Sequence, residues 1–187
     1  MVTVKKYEPK YFEDVRQVCI NTGPESAATD PNMRDFILFT FCDYYCEQEP
    51  ENVFVLVDEN DVAQGYVFGA RDFKTYIKNM KPYLKKVKKT GKEYYRDALG
   101  EIIGHAVYSL KYPAHLHIDI NAPFRGNGNG SKMISTLTEH MKNDLGVKSI
   151  MLIVGTSNVR GINFYKKNGF KVIRSFKNTG TVMAKEL

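Results

Sequence analysis

Between a strand-like run and an amphipathic helix the chain carries Arg125-Gly126-Asn127-Gly128-Asn129-Gly130-Ser131. Alternating glycines let a main chain approach a ligand with no Cβ in the way, and their free N–H groups can converge on an anion where a helix begins. Peptide dipoles gathered in that first turn add partial positive charge, and Arg125 adds a full one. The run therefore reads as a cradle for a diphosphate that needs no metal. Two other glycine-loop chemistries do not fit. A P-loop sets Lys and then Ser or Thr directly after its last glycine, whereas here Ser131 precedes Lys132. A dinucleotide fingerprint needs its last glycine three positions after the second, a spacing that Gly126, Gly128 and Gly130 miss. For the loop alone, a flexible turn with a helix cap is the plain alternative.

A second constellation lies just upstream. In Ala114-His115-Leu116-His117-Ile118-Asp119-Ile120 the two histidines and the aspartate alternate, so a strand puts them on one face and Leu116, Ile118 and Ile120 on the other. Imidazole titrates near neutrality and can take a proton from an ammonium directly or through water, and a desolvated carboxylate can do the same. Histidines hydrogen-bonded within a core are the alternative. Cys19, Cys42 and Cys46 form no pairing framework, which fits a reducing compartment. Cys42 and Cys46 could share a metal from one helix, but no His or third Cys lies near them in sequence. Free buried thiols and no metal are expected.

Positioning these residues requires strand, loop and helix in succession. Met133, Ile134, Leu137 and Met141 recur at helical spacing after the glycines. Ile150-Met151-Leu152-Ile153-Val154 reads as another strand, followed by Asn158 and then Gly161-Ile162-Asn163-Phe164-Tyr165-Lys166-Lys167-Asn168-Gly169-Phe170. Upstream, residues 2–7 predict a short strand. A helix follows with Pro9 near its first turn and Phe12, Val15, Val18 and Cys19 on one face, stopped by Gly23-Pro24. After a polar loop from Glu25 to Pro31, a second helix carries Phe36 to Tyr44 and ends before Pro50. Val53–Val57 and Val62–Gly69 flank Asp58-Glu59-Asn60-Asp61 as a hairpin, and Lys171–Phe176 and Thr181–Lys185 flank Asn178-Thr179-Gly180 as another. From Arg71 to Tyr112, Phe73, Tyr76, Ile77, Met80, Tyr83, Leu84 and Val87 predict an apolar helical face with lysines opposite. Pro82 is expected to bend or divide that helix.

Two of these segments, in order and at the right spacing, resemble the GNAT superfamily of acyl-CoA-dependent N-acyltransferases. The glycine run matches its R-x-x-G-x-G segment, and Asn158 to Phe170 matches N-x-x-(A/G)-x-x-F-Y-x-x-x-G-F. The resemblance implies an α/β (α+β) fold, with a mixed, mostly antiparallel central sheet flanked by helices. Residues 1–187 would form one domain, with 71–112 a helical insertion between the third and fourth strands. It implies acetyl-CoA as cosubstrate. The N–H groups from Arg125 to Ser131, through Gly126, Asn127, Gly128, Asn129 and Gly130, would hold its pyrophosphate, and the main chain from Ile118 to Ile120 would pair with its pantetheine arm. Asn158 matches a residue that contacts the pantetheine, with capping of the next helix as the alternative. Tyr165 matches the tyrosine that protonates the departing thiolate, a role suited to a phenol with a pKa near 10. Phe164 beside it would fill the core. Asp119 and His117 stand ahead of His115 as the base because they lie closer to where the thioester should sit. Asn129 departs from the aliphatic residue usual between the last two glycines, which puts helix-to-sheet packing in question there. Within the superfamily, Cys19-Ile20-Asn21-Thr22-Gly23 and residues 112–119 look most similar to acetyltransferase-like domains found with O-GlcNAc hydrolases.

The function expected is transfer of acetyl from acetyl-CoA to a primary amine by direct attack in a ternary complex. The rival within the family is a catalytically weak or inactive domain that binds acyl-CoA or a partner. The 187 residues carry a net charge of +6, with much of the excess between Lys74 and Lys92. A nucleic-acid module using those lysines and interleaved tyrosines is the rival from another class. No recognised nucleic-acid motif accompanies them, so the acceptor is expected to be an amine on a small molecule or protein rather than nucleic acid. Residues 1–7 lack a signal peptide's apolar stretch and no run approaches the length of a membrane span, so a cytoplasmic protein with no membrane partner is expected. Oligomeric state is not set by these residues.

Overall fold

The computed structural model describes residues 2–177 and 179–187. Strands β1 (Thr3–Lys6), β2 (Val53–Val57), β3 (Ala63–Ala70), β4 (Ala114–Ile120), β5 (Ser149–Gly155), β6 (Lys171–Ser175) and β7 (Gly180–Glu186) form a seven-stranded sheet in the order β1-β2-β3-β4-β5-β7-β6. Neighbours are antiparallel except β4 and β5. A parallel pair needs a crossover, supplied by α6 (Asn129–Asn143). The β4–β5 ladder couples Ala114 with Ile150 and His115 with Met151 and stops there, while β3 pairs with β4 as far as Ile120. From Leu116 onward β4 is therefore paired on one edge, and the sheet parts in its middle.

Both faces of the sheet are covered, which is why β2 is buried at every residue. Val53, Val55, Tyr66 and Phe68 pack into a core with α1 (Phe12–Thr22), α2 (Pro31–Phe41), α3 (Asp43–Gln48), α4 (Phe73–Thr90) and α5 (Lys92–Tyr108). On the opposite face, Phe54, Leu56, Val67, Leu116 and Ile120 pack on Met133, Ile134, Leu137 and Met141 of α6. The alternation along β4 thus turns His115, His117 and Asp119 toward the first core and the aliphatic residues toward α6. The remaining helix, α7 (Val159–Lys167), follows β5.

Three expectations are revised. The second helix is two: Cys42 leaves helical geometry at φ −132°, ψ −71°, and α3 then buries the consecutive residues Asp43, Tyr44, Tyr45 and Cys46. One continuous helix could not turn all of these inward. Pro82 does not divide α4, which runs unbroken past it. Its ring is exposed, and Tyr76, Met80, Tyr83 and Val87, buried at helical spacing on both sides of it, hold the two halves on one surface. The break comes instead at Gly91, between α4 and α5. Tyr76 and Tyr83, each 3% exposed, cannot stack on bases, and the outward side of that helix is mostly lysine.

The β2–β3 and β6–β7 hairpins form as expected. Asn178, in the second turn, lies outside the described residues. Among the described residues no helix is long and apolar enough to cross a membrane.

Candidate active site

Where β4 and β5 part, a cavity of about 490 Å³ opens. Its wall includes Ile118, Asp119 and Ile120 of β4, Arg125, Gly126, Gly128, Gly130 and Ser131 of the glycine run, and Asn158 and Tyr165 at α7. Residues nearly fifty apart in sequence are brought together because α6 returns the chain to the far lip of the split.

The glycine run bends through consecutive left-handed residues, Gly126 (φ 99°), Asn127 (φ 50°) and Gly128 (φ 79°), before α6 begins. Glycine adopts this geometry freely and Asn tolerates it. Two amides in the run are consumed by its own turns, with Arg125 N–H donating to Ala122 O and Asn129 N–H to Gly126 O. Among the described residues the amides of Gly126, Asn127, Gly128, Gly130 and Ser131 meet no acceptor. Side chains add to this arrangement. Arg125 Nε donates to Ile120 O at 2.7 Å, fixing a guanidinium at the end of β4. Asn129 Nδ2 donates to Phe124 O at 3.0 Å, so the asparagine that replaces an aliphatic residue ties the loop together instead of packing on the sheet. Neither Asn127 nor Asn129 forms part of the cavity wall.

Strand alternation decides which edge of β4 faces the split. Asn121 N–H donates to Gln64 O across the β3 side. Counting back in twos, the main-chain groups of Ile118 and Ile120 point to the other edge, toward β5. Ile120 O is taken by Arg125, which leaves the Ile118 groups at the opening.

On the far wall, Asn158 Oδ1 accepts from Gly161 N–H at 2.8 Å, so this residue caps α7 while lining the cavity. Tyr165 is half-buried, its ring 5.2 Å from Phe164 and 5.8 Å from Phe170. Burial, and secondarily the Asp119 charge, pushes its hydroxyl well above the usual phenol value, so it keeps its proton at neutral pH. Sequence reasoning passed over Thr22, Arg160 and Lys167, which also line the cavity. Arg160 and Lys167 stand near the two ends of α7 and add cations beside the free amides. They lie inside the matched segment at variable positions, so only the fold shows where they point.

The β4 face toward the first core separates the histidines. His115 is buried, with Nε2 2.9 Å from Tyr45 Oη and its ring 4.4 Å from that of His105. Burial, reinforced by the neighbouring histidines, holds it well below the usual value, as a neutral structural group. His117 and Asp119 are each about a third exposed, with His117 Nε2 3.0 Å from Asp119 Oδ2. Burial draws His117 down, but the hydrogen bond and charge of Asp119 outweigh it and raise the imidazole above its ordinary value. Asp119 lines the cavity whereas His117 stands behind it. Cys19, Cys42 and Cys46 are buried and free, and no three metal-ligating side chains come together among the described residues.

A split sheet with free amides at a helix start, and a cation-flanked cavity lined by a half-buried phenol and a carboxylate, defines an acyltransferase of the acyl-CoA-dependent kind. The chain belongs to the Acetyltransferase (GNAT) family, whose model matches residues 72–170. It is 26% identical over 152 residues to the spermine/spermidine N(1)-acetyltransferase of Bacillus subtilis strain 168, covering 73% of this chain and 98% of the relative. Among solved structures it resembles SsHAT with a TM-score of 0.86 and 25% identity, covering 99% of this chain and 98% of that one. The PaiA N-acetyltransferase of Thermoplasma acidophilum, solved with coenzyme A, shares the fold with a TM-score of 0.63, 14% identity, and coverage of 100% and 99%. The protein is an N-acetyltransferase that takes acetyl from acetyl-CoA to an amine.

Proposed function

We propose that this enzyme acetylates a small polycationic amine of the spermine and spermidine type by direct attack in a ternary complex. The substrate class is suggested by the Bacillus relative, and the arrangement of the cavity supports the rest. Acetyl-CoA, when bound, supplies an activated thioester. The free amides of Gly126, Asn127, Gly128, Gly130 and Ser131 hold its diphosphate, with Arg125, Arg160 and Lys167 as counter-charges. The unpaired edge at Ile118 offers a main-chain partner for the pantetheine arm. Asp119 takes the proton of the incoming ammonium, with His117 behind it, and Tyr165 delivers a proton to the departing sulfur. No cysteine lines the cavity among the described residues, which favours direct transfer over an acyl-enzyme.

The observation that carries this reading is the set of unpartnered amides beside Asp119 and Tyr165. Its test joins calorimetric titration of acetyl-CoA to thiol release over a panel of amines. Binding with release strongest for spermidine or spermine supports it. Release confined to protein amines overturns the substrate class, and no binding overturns the cradle. We further read residues 1–187 as one domain, with 71–112 an insertion shaping the acceptor side, acting in the cytoplasm, where free buried thiols persist. The narrower likeness to O-GlcNAc hydrolase-associated domains rests on residues 19–23 and 112–119.

A further inference from the structure

Asp119 Oδ2 receives two neighbours at once. Tyr66 Oη, from β3, donates to it at 2.9 Å, and His117 Nε2 stands 3.0 Å away. Oδ1 has no hydrogen-bond partner among the described residues. The carboxylate is thus pinned by one oxygen and open at the other, on a residue that forms part of the cavity wall. Tyr66 is fully buried and stacked on Phe68 with ring centroids 4.0 Å apart, so its hydroxyl is placed by packing rather than by solvent.

We infer that Tyr66 is a positioning residue for acetyl transfer: its hydroxyl, together with His117, fixes Oδ2 of Asp119 and leaves Oδ1 as the oxygen that accepts the amine proton. The inference rests on the assignment of Asp119 as base. A carboxylate free to rotate about χ2 presents either oxygen, and a productive approach then competes with unproductive ones. With Oδ2 occupied by an O–H and an imidazole N–H, one orientation remains. Burial, with the Asp119 charge next, keeps the Tyr66 hydroxyl strongly protonated, so it can only donate. The titratable groups that act on this trio are Cys19 from α1, Cys42 between α2 and α3, Glu101 and His105 from α5, His115 from β4 and Tyr165 from α7. Each of them is the same in a Tyr66→Phe protein, which also retains the ring stack on Phe68.

The experiment is a double-mutant cycle of Tyr66→Phe and Asp119→Asn, read as pH profiles of kcat/KM with acetyl-CoA affinity as the check on the fold. Tyr66→Phe should lower kcat by about tenfold while acetyl-CoA affinity holds. In the Asp119→Asn background the same change should have no further effect, because the hydroxyl acts through that carboxylate. A Tyr66→Phe loss that is equal in both backgrounds overturns the positioning role while leaving Asp119 as base. An Asp119→Asn protein with unaltered rate and profile overturns the base assignment itself. If Tyr66→Phe lowers acetyl-CoA affinity as much as kcat, the hydroxyl supports the fold and the inference is likewise overturned.

Discussion

Gly130 and Phe164 meet without room for a methyl group: a Cβ on Gly130 would stand 3.0 Å from both Cε2 and Cζ of the phenylalanine ring. The first turn of α6 and the middle of α7, the two lips of the split sheet, are therefore set against each other at a bare Cα. Gly130→Ala should push Phe164 outward, at a cost of about 1–3 kcal/mol for overpacking. The amides of Gly130 and Ser131 would shift with it. Urea unfolding should show the loss of stability, and titration with acetyl-CoA a parallel loss of affinity.

Gly128 is constrained differently. Nothing lies within 4 Å of where a Cβ would stand, but φ is +79°, a region that costs an L-residue about 1–2 kcal/mol. Gly128→Val should either carry that strain or release it by turning the loop, and the branched side chain would project where the diphosphate approaches. Acetyl-CoA affinity should fall at least tenfold, and the urea midpoint should fall by no more than that strain. Unchanged affinity would remove the cradle.

At Tyr165 the expected loss is kinetic. Replacement by Phe retains the ring contacts with Phe164 and Phe170 and deletes the proton. Turnover should drop by about 10²-fold, at the lower end of the range for a positioned acid, while acetyl-CoA affinity stays within about twofold. Single-turnover rates set beside titration would separate the two. An unchanged turnover assigns Tyr165 to packing alone.

The histidines of β4 give opposite signatures with pH. His117 is raised in the folded chain, so its pairing with Asp119 stabilises the fold fully below the ordinary histidine value. That contribution is lost as pH rises through the elevated folded value. His115 and His105 are lowered, primarily by burial, so they destabilise the fold as pH falls. The difference in unfolding free energy between the unaltered protein and His117→Asn isolates the first effect. It should be largest below about pH 6.5 and shrink above it. A gap that instead grows with pH would mean that His117 is held neutral.

What the residues revealed in advance follows from locality. Alternation along Ala114–Ile120 and the helical spacing of Met133 to Met141 are properties of a few adjacent residues, and both were legible. The free amides were legible as a class, yet the occupied ones at Arg125 and Asn129 were not, because a turn's own hydrogen bonds depend on φ and ψ that sequence leaves open. Tyr66 escaped notice because its partner is 53 residues away, across the β3–β4 register. The division at Cys42 was hidden for a similar reason, since Asp43 to Cys46 turn inward against partners distant in sequence, among them Tyr76 and Tyr83 of α4 for Tyr44 and Phe68 of β3 for Tyr45.

Pro82 supplies a test of how far tertiary packing overrides local preference. Within α4 it lacks the N–H that would donate to Lys78 and crowds that carbonyl, a penalty of about 3 kcal/mol relative to Ala in an unconstrained helix interior. Pro82→Ala restores the donor but frees the unfolded chain, which offsets about 0.4–1 kcal/mol of the gain. Net stabilisation should be about 2 kcal/mol, or about 4–8 °C in Tm for a chain of this size. Tyr76 and Tyr83 lie on either side of the proline and are buried in the same core, so any bend it imposes also sets how α4 meets α2 and α5. If that bend shapes the acceptor side, Pro82→Ala should alter KM for the amine while acetyl-CoA affinity, set on the far lip at α6, remains unchanged. A rise in Tm with both constants unaltered would make the proline a tolerated local defect. A fall in Tm would show that the core is built around the bend and that a straighter α4 no longer fits it.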